Sequence, residues 1–389
     1  MNVIYAYPWD IVGDPGAAAR LAGLGVDAVA LAASYHTTRA ATPHHPAHRL
    51  VDARHSACYV PVREEAWKGA RLVPGTPSWM DSADPFGEAR DALRAAGLPV
   101  RAWTVLTHNT LLGSANPDMV VTNAFGESYP YALCPAAADV RDYCRTLIRE
   151  IVETGDPDAL ILEACGPLGF RHGGHHEKTD GADWSPAQVA LLSLCFCANC
   201  VLRYEAAGLD VAEARARVRA GVDGRPGSVE EALGDLADPL RGVRTGLAGE
   251  LRALLLAEAR AARPGLEVAL HASADPWATG PFATVPEGVD ADLLVGNCWN
   301  SPEADEAGLR ALGRLGPRVG AYVLALPPRP ADGGALTFLA EAYTAAGASE
   351  IHWYHGGLAS TARLEAIAEA IGQHRRRDGS GPTAEASSS

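Results

Sequence analysis

The chain has 389 residues, with 33 Lys and Arg against 47 Asp and Glu and a formal net charge of -14. That balance argues against a nucleic-acid or anionic-lipid partner, because phosphate binding draws on clustered Lys and Arg. At 48% hydrophobic and 21% charged residues, with no uninterrupted apolar run long enough to span a bilayer, the composition excludes membrane and disordered classes and fits a soluble globular protein.

The opening stretch, Met1-Asn2-Val3-Ile4-Tyr5-Ala6-Tyr7, has neither the basic start nor the long apolar segment of an export signal and reads as a first β-strand. A cytoplasmic location is expected on that ground, and the eight cysteines are then expected to serve metal binding or packing. Short β-type apolar runs alternate with Ala- and Leu-rich helical stretches along the chain, the rhythm of a parallel sheet with crossover helices. Strands fall near Val3 to Tyr7, Ala28 to Ala32, Val100 to Leu106, Ala159 to Glu163, Glu267 to His271, Asp292 to Val295, Val319 to Leu324 and Glu350 to Tyr354. About eight such strands predict an α/β fold of the (β/α)8 TIM-barrel type, although an open doubly wound sheet gives similar local signals. Helices from Ala17 to Leu24, Phe86 to Ala96 and Ala137 to Thr154 each run into a glycine, Gly25, Gly97 and Gly155, which is expected to cap them.

The barrel is expected to occupy residues 1–373, with rim insertions at about 35–84 and 170–239. The first is rich in His, Pro and Gly; the second carries a helix from Pro186 to Ala207 and another from Val211 to Ala220. Residues 374–389 begin with a basic run, turn Ser-, Gly- and Ala-rich, and are expected to be disordered.

Cys195-x-Cys197-x-x-Cys200 puts three thiols within reach of one tetrahedral ion, and Cys134, in Leu133-Cys134-Pro135, is the candidate fourth ligand. Four thiolates leave no open position, so the zinc expected here is structural. The competing reading makes these cysteines small buried residues on one helix from Leu191 to Tyr204.

A strand-end glutamate followed by Cys-x-Cys-x-x-Cys, with an earlier cysteine after the third strand, resembles the catalytic barrel of glycoside hydrolase family 42 β-galactosidases and related clan-A glycosidases. The chain also resembles a bacterial branch of glycosidase-like barrels with Tyr-His in the second βα loop and His-His-Glu-Lys before the cysteines. The family 42 resemblance implies a structural zinc on Cys134, Cys195, Cys197 and Cys200 and a general acid/base at Glu163. It also marks departures: Leu162 stands where the family has Asn, and the seventh strand, Ala321 to Leu326, offers no carboxylate for a nucleophile.

Functional residues of a barrel gather where strands end. Those ends supply Asp10, Tyr35, His36, His108, Asn109, Glu163, His271, Asn297, Trp299, His352 and Trp353, the polar and aromatic set a sugar requires for stacking and hydrogen bonding. Burial at the end of an apolar strand is expected to raise the pKa of Glu163 toward that of a general acid. A glycosidase needs a second carboxylate, and Asp275 is the first candidate, with a local turn before Pro276 as its competing role. His172, His175 and His176 lie in a Gly-rich loop and are expected to touch substrate.

The function expected is hydrolysis of a small glycoside or oligosaccharide, with Glu163 and Asp275 catalytic. The alternatives are a metal-dependent sugar isomerase, epimerase or lyase using the His172 to His176 loop, and a carbohydrate-binding barrel without turnover. No phosphate-binding loop, dinucleotide fingerprint or nucleophile elbow is present. A homo-oligomer is compatible with the class, since related barrel enzymes often associate.

Overall fold

A computed structural model describes residues 1–171 and 177–377. Its centre is a closed barrel of eight parallel strands: β1 (Asn2–Ala6), β2 (Ala28–Tyr35), β3 (Val100–Val105), β4 (Ala159–Glu163), β5 (Glu267–Ser273), β6 (Leu293–Cys298), β7 (Arg318–Leu324) and β8 (Ala348–Tyr354). Each strand pairs with its neighbours in number, and β8 returns to β1, so no barrel edge is left open.

The strands read as apolar runs because both faces are covered, by the barrel interior on one side and the helices on the other. A side-chain device at the strand starts helps to fix register. Asp27, Asp158 and Asp292, each just before an even-numbered strand, accept the backbone N–H of Asn2, Val100 and Val268 on the preceding odd-numbered strand. These acids sit at the N-terminal end of the barrel, away from the strand ends that carry chemistry.

Crossover helices include Ala17–Ala22, Pro85–Ala95, Ala138–Gly155, Ala237–Ala262, Pro302–Gly313, Gly333–Ala345 and Thr361–Arg377. Between β5 and β6 the chain makes only the short strand Ala283–Thr284, paired to β5. No helix among the described residues is long and apolar enough to cross a membrane.

Gly25 and Gly97 have left-handed φ values of 79° and 81° at their helix ends, but Gly155 belongs to its helix and Asp156, with φ 44°, turns the chain. A Cβ on Gly155 would stand 3.0 Å from Val60 and 3.3 Å from Phe86, so the glycine lets these side chains pack closely against the helix end. The stretch Pro186 to Ala207 is two helices, Pro186–Leu192 and Ala198–Ala206, with the first cysteines in the turn between them. The last helix continues through His374 to Arg377, beyond the expected start of the disordered tail. Buried His374 meets the Thr344 hydroxyl at 3.0 Å, and Arg375 and Arg377 pair with Asp27 and Glu341, which holds that final turn.

Insertions on the C-terminal rim form the walls around the barrel mouth. The first contains the hairpin Thr38–Ala41 and Leu50–Ala53, then Ala57–Cys58, which pairs antiparallel with the end of β2. A second hairpin, Val120–Thr122 and Ser128–Leu133, follows β3 and ends immediately before Cys134. The segment after β4 packs helices Val211–Gly224 and Val229–Leu233 against Pro186–Leu192.

Candidate active site

β4 is apolar until its last residue, so the barrel carries Glu163 to the C-terminal rim with a buried stem. Ala164 follows with φ 55°, a left-handed conformation that costs a residue bearing a Cβ roughly 1–2 kcal/mol. The turn is held by its N–H, which donates to Pro281 O at 2.9 Å, and by its carbonyl, which accepts the Thr107 hydroxyl at 2.8 Å. Glu163 lines a cleft of 580 Å³ whose walls include His36, His108 and Tyr131, with Arg39, Arg54 and Arg171 farther round it. Two acids line this cleft among the described residues, Glu163 and Asp52. Asp52 stands on the first hairpin, half exposed, with Arg54 at 3.6 Å.

Oε2 of Glu163 accepts the indole N–H of Trp103 at 2.7 Å and has His271 Nδ1 at 3.2 Å. Burial pushes the carboxyl pKa up, but His271, the nearby His36 and the Trp103 N–H together outweigh it, so the acid is held below its ordinary range. This reverses the upward shift expected from an apolar strand alone, because the strand does not reveal which side chains face its end.

One layer inside the barrel comes from the odd-numbered strands: Tyr5, Trp103, His271 and Tyr322. Tyr5 packs edge-on against Trp103 and Tyr322 at 4.9 and 4.8 Å between ring centres, and His271 lies 4.9 Å from Tyr322. Tyr7, Tyr35 and Tyr354 add to this aromatic stack, with Tyr35 4.6 Å and Tyr354 6.5 Å from Trp103. Burial raises the pKa of the five phenols Tyr5, Tyr7, Tyr35, Tyr322 and Tyr354, so they serve as neutral donors and acceptors.

A polar column runs from this layer toward the N-terminal end. The Tyr5 hydroxyl meets His271 Nε2 at 2.9 Å and His352 Nδ1 at 3.1 Å, and His352 Nε2 lies 3.2 Å from Glu350. Arg101 and Arg318 bind Glu350 at 2.9 and 3.0 Å. Burial works against the Glu350 charge, but His352 and Arg101 override it and pull the pKa down to about 2. Burial pushes His352 down to about 4, against the pull of Glu350. Gly320 makes room for this arrangement, since a Cβ there would stand 3.2 Å from His352 Nε2.

The other sequence candidates divide by position. His36 lines the cleft, stacked between Tyr35 and His108 at 4.1 and 4.2 Å, and burial lowers its pKa. Trp299 is 40% exposed and stacks on Tyr322 at 5.5 Å, so it offers an open aromatic face at the same end of the barrel. Asn297 is exposed at the end of β6.

Several candidates are placed elsewhere. Asn109 is buried and caps helix Thr110–Ala115 by accepting the Leu112 N–H. Trp353 alternates away from His352 and Tyr354, is fully buried and donates to the Asn2 side chain. Asp10 is buried beside a small cavity with Arg20, His44 and Gly357, and burial lifts its pKa to about 7 against the Tyr7 N–H and Arg20. Asp275 is exposed, accepts the Trp277 N–H in a turn, and lines a second cavity of 520 Å³ that shares Arg171 with the Glu163 cleft. The structure does not bring Asp10 or Asp275 into the Glu163 cleft. His172, His175 and His176 lie outside the described residues.

Tyr5, Trp103, Tyr322, Tyr354 and Asp52 were missed. The first four were signalled by alternation, being the inward residues in Val3-Ile4-Tyr5, Arg101-Ala102-Trp103, Gly320-Ala321-Tyr322 and His352-Trp353-Tyr354. Asp52 had no comparable signal, because the hairpin's position over the mouth follows from tertiary packing.

The four cysteines converge. Cys134 Sγ lies 3.5 Å from Cys200, 3.7 Å from Cys197 and 3.8 Å from Cys195, and all four sulfurs lie within 4.8 Å of one another. A tetrahedral ion with metal–sulfur bonds of about 2.3 Å requires sulfurs roughly 3.8 Å apart, so the set fits such an ion. A single helix could not do this, since residues two apart point to nearly opposite sides. The chain therefore breaks at Ser193, and Phe196 N–H is drawn to Thr122 O at 2.6 Å. Cys195 Sγ also receives the N–H groups of Thr122 and Cys197, which orient it toward the other three sulfurs.

No family model matches the sequence, and no curated protein matches it. Solved structures match the fold. The glycoside hydrolase domain of PgaB from Bordetella bronchiseptica aligns with a TM-score of 0.61 at 16% identity, over 95% of this chain and 98% of that one. Alpha-L-fucosidase isoenzyme 2 from Paenibacillus thiaminolyticus aligns at 0.59 and 12% identity, over 97% of this chain but 50% of its own length. A family 42 β-galactosidase from G. stearothermophilus aligns at 0.53 and 11% identity, over 97% of this chain and 57% of its own. The chain thus spans about half the length of the last two. These likenesses establish the (β/α)8 barrel shared with glycosidases of several families.

Proposed function

We propose that this barrel hydrolyses a small glycoside or oligosaccharide, with Glu163 as the group that gives a proton to the departing sugar oxygen and Trp299 as a stacking face for a sugar ring. The observation that carries the reading is the position of Glu163: a buried carboxylate at a barrel strand end, held by Trp103 and His271, and open to a cleft of sugar size. The barrel's likeness to glycosidases raises the prior without identifying the substrate.

Glycoside hydrolysis ordinarily uses two carboxylates. Asp52 is the second one on this reading, because it shares the Glu163 cleft whereas Asp275 lines the neighbouring cavity. Its half-exposed setting suits a base that draws a proton from water. The four-cysteine cluster would hold a structural zinc, tying the hairpin before Cys134 to the helices after β4 and leaving the ion no open position for substrate. This arrangement supports kinship with the family 42 branch more than the overall likeness does.

The test is a panel of nitrophenyl glycosides assayed before and after mild chelation, with metal content measured on the same protein. Turnover that survives the chelator, with about one zinc retained per chain, is the result expected. Activity that disappears with a loosely held ion would move the chemistry to a metal-dependent reaction. A second reading, sugar binding without turnover, is favoured by the exposure of Asp52 and its pairing with Arg54. Sugar binding with no hydrolysis of any panel member would establish it.

A further inference from the structure

The polar column inside the barrel fixes more than packing. Four contacts link Glu350, His352, Tyr5, His271 and Glu163 in series, at 3.2, 3.1, 2.9 and 3.2 Å. Each contact between two lone-pair-bearing atoms needs one hydrogen. With both carboxylates ionised and both imidazoles neutral, the series contains three hydrogens: one on each imidazole and one on the phenol. One contact would then bring two lone pairs together in a buried site where water cannot relieve them.

From this count we infer that the Glu163–His271 pair carries one extra proton, assigned to it by the hydrogen-bond polarity that Glu350 imposes through His352 and Tyr5. Two guanidinium groups hold Glu350 ionised, so His352 Nε2 presents its hydrogen to Glu350; His352 is fully buried and burial keeps it neutral, so its Nδ1 accepts. Tyr5 then donates to His352, leaving its oxygen to accept the hydrogen on His271 Nε2. His271 Nδ1 consequently faces Glu163 Oε2 without a hydrogen of its own, and the missing proton must lie on one of those two atoms. Nδ1 is buried and, besides this ion-pair approach, has no hydrogen-bond partner.

The groups around the pair are consistent with one proton and one compensating charge. Facing His271 are Glu163 on β4, Tyr5 on β1, His352 on β8 and Tyr322 on β7. Facing Glu163 are Trp103 on β3, His36 after β2, and the phenols of Tyr35, Tyr322 and Tyr354. No Lys or Arg approaches the pair within ion-pair distance among the described residues, in contrast to Glu350.

This inference rests on the proposed proton-donor role for its catalytic meaning, but not for its test. In turnover the pair's O–H or N–H bond breaks as an O–H bond forms on the departing alcohol. The pair is then one proton short, with lone pairs opposed, and is reloaded from solvent, to which Asp52 returns the proton it drew from the attacking water. Tyr5, His352 and Glu350 are positioning residues that set the proton's place without touching substrate.

The experiment is nitrogen-15 NMR of histidine-labelled protein, with carbon-13 observation of the Glu163 carboxyl and His271→Gln used for assignment. Near neutral pH the protein should show His271 Nε2 protonated, together with either a protonated Nδ1 or a protonated Glu163 carboxyl. Tyr5→Phe removes the link, so neutral His271 can turn its one hydrogen to Nδ1 and satisfy an ionised Glu163. The pair should then lose its extra proton at a pH lower by roughly one unit or more. A neutral His271 with hydrogen on Nδ1 beside an ionised Glu163 in the unmodified protein would overturn the inference, whether or not Tyr5→Phe folds. So would unchanged titration in a folded Tyr5→Phe protein. Absence of glycoside turnover with the NMR result intact would count against the proposed function alone.

Discussion

Glu163 and Glu350 are the same residue type, 6% and 1% exposed, joined through one column inside one barrel, yet their neighbours give them different chemistry. Glu350 sits between Arg101 and Arg318 at the N-terminal end and is locked as an anion. Glu163 faces an imidazole and an indole at the C-terminal end, with a cleft beside it. Burial therefore does not decide what a carboxylate does; the proton affinity of its partners does. The locked anion sets the polarity of the column, and the labile one stands where substrate can enter.

The strongest way to break this comparison is to neutralise each acid in turn. Glu350→Gln should leave the buried Arg101 guanidinium without its nearest counter-charge and cost about 3–5 kcal/mol of stability, read by denaturant unfolding. Glu163→Gln should cost far less stability, since the amide can still accept the Trp103 N–H. Equal losses would erase the distinction. Acid should act on the same difference. The Glu350 pKa is depressed in the folded state, so its contribution is fully present above the ordinary carboxyl range near 4.5 and is lost as pH falls toward about 2. A flat stability profile across that window would contradict the locked anion.

The two ends also differ from the rim, where the proposed structural role of the cysteine cluster can be tested. Cys197→Ser should release bound metal and lower stability by roughly 2–4 kcal/mol without unfolding the barrel, as followed by metal content and thermal unfolding. Asp10 gives a third kind of buried acid, in which burial outweighs the Tyr7 N–H and the nearby Arg20 and lifts the pKa to about 7. A raised carboxyl pKa means that the folded state holds the proton more tightly, so stability is lost as pH climbs from about 4 to about 7. Asp10→Asn should flatten that slope and raise Tm above neutral pH. The smallest effect should come from Trp299→Ala, which removes a partly exposed stacking face and should weaken sugar binding by about 1–2 kcal/mol, measured by titration calorimetry.

The barrel was legible because the strands are short apolar runs, most of them closing on polar residues, and several of the helices between them carry their own stops. The site was legible in part. Glu163 stands out as an acid closing an apolar strand; spacing marks Cys195, Cys197 and Cys200 as possible ligands of one ion, and Cys134 joins them as the fourth from its place after the third strand and from the family resemblance. What failed was direction. Listing strand-end residues treated Trp353 like its neighbours, yet alternation turns it into the helix layer and turns Tyr354 inward. The same omission hid Tyr5, Trp103 and Tyr322. Asp275 and Asp52 exchanged prominence for another reason: loop placement over the barrel mouth depends on contacts that strand pattern cannot supply. The downward shift at Glu163 likewise follows from His271, whose approach is set by β5 lying beside β4.

The measurement that bears most directly on the central claim is turnover and sugar binding by Glu163→Gln on the same samples, with an activated nitrophenyl glycoside and an unactivated one. The account predicts that binding persists while turnover falls by about 10²–10⁴-fold, more steeply for the unactivated substrate because its poorer leaving group needs the proton. Undiminished turnover of both substrates would show that Glu163 is not the working acid of this barrel.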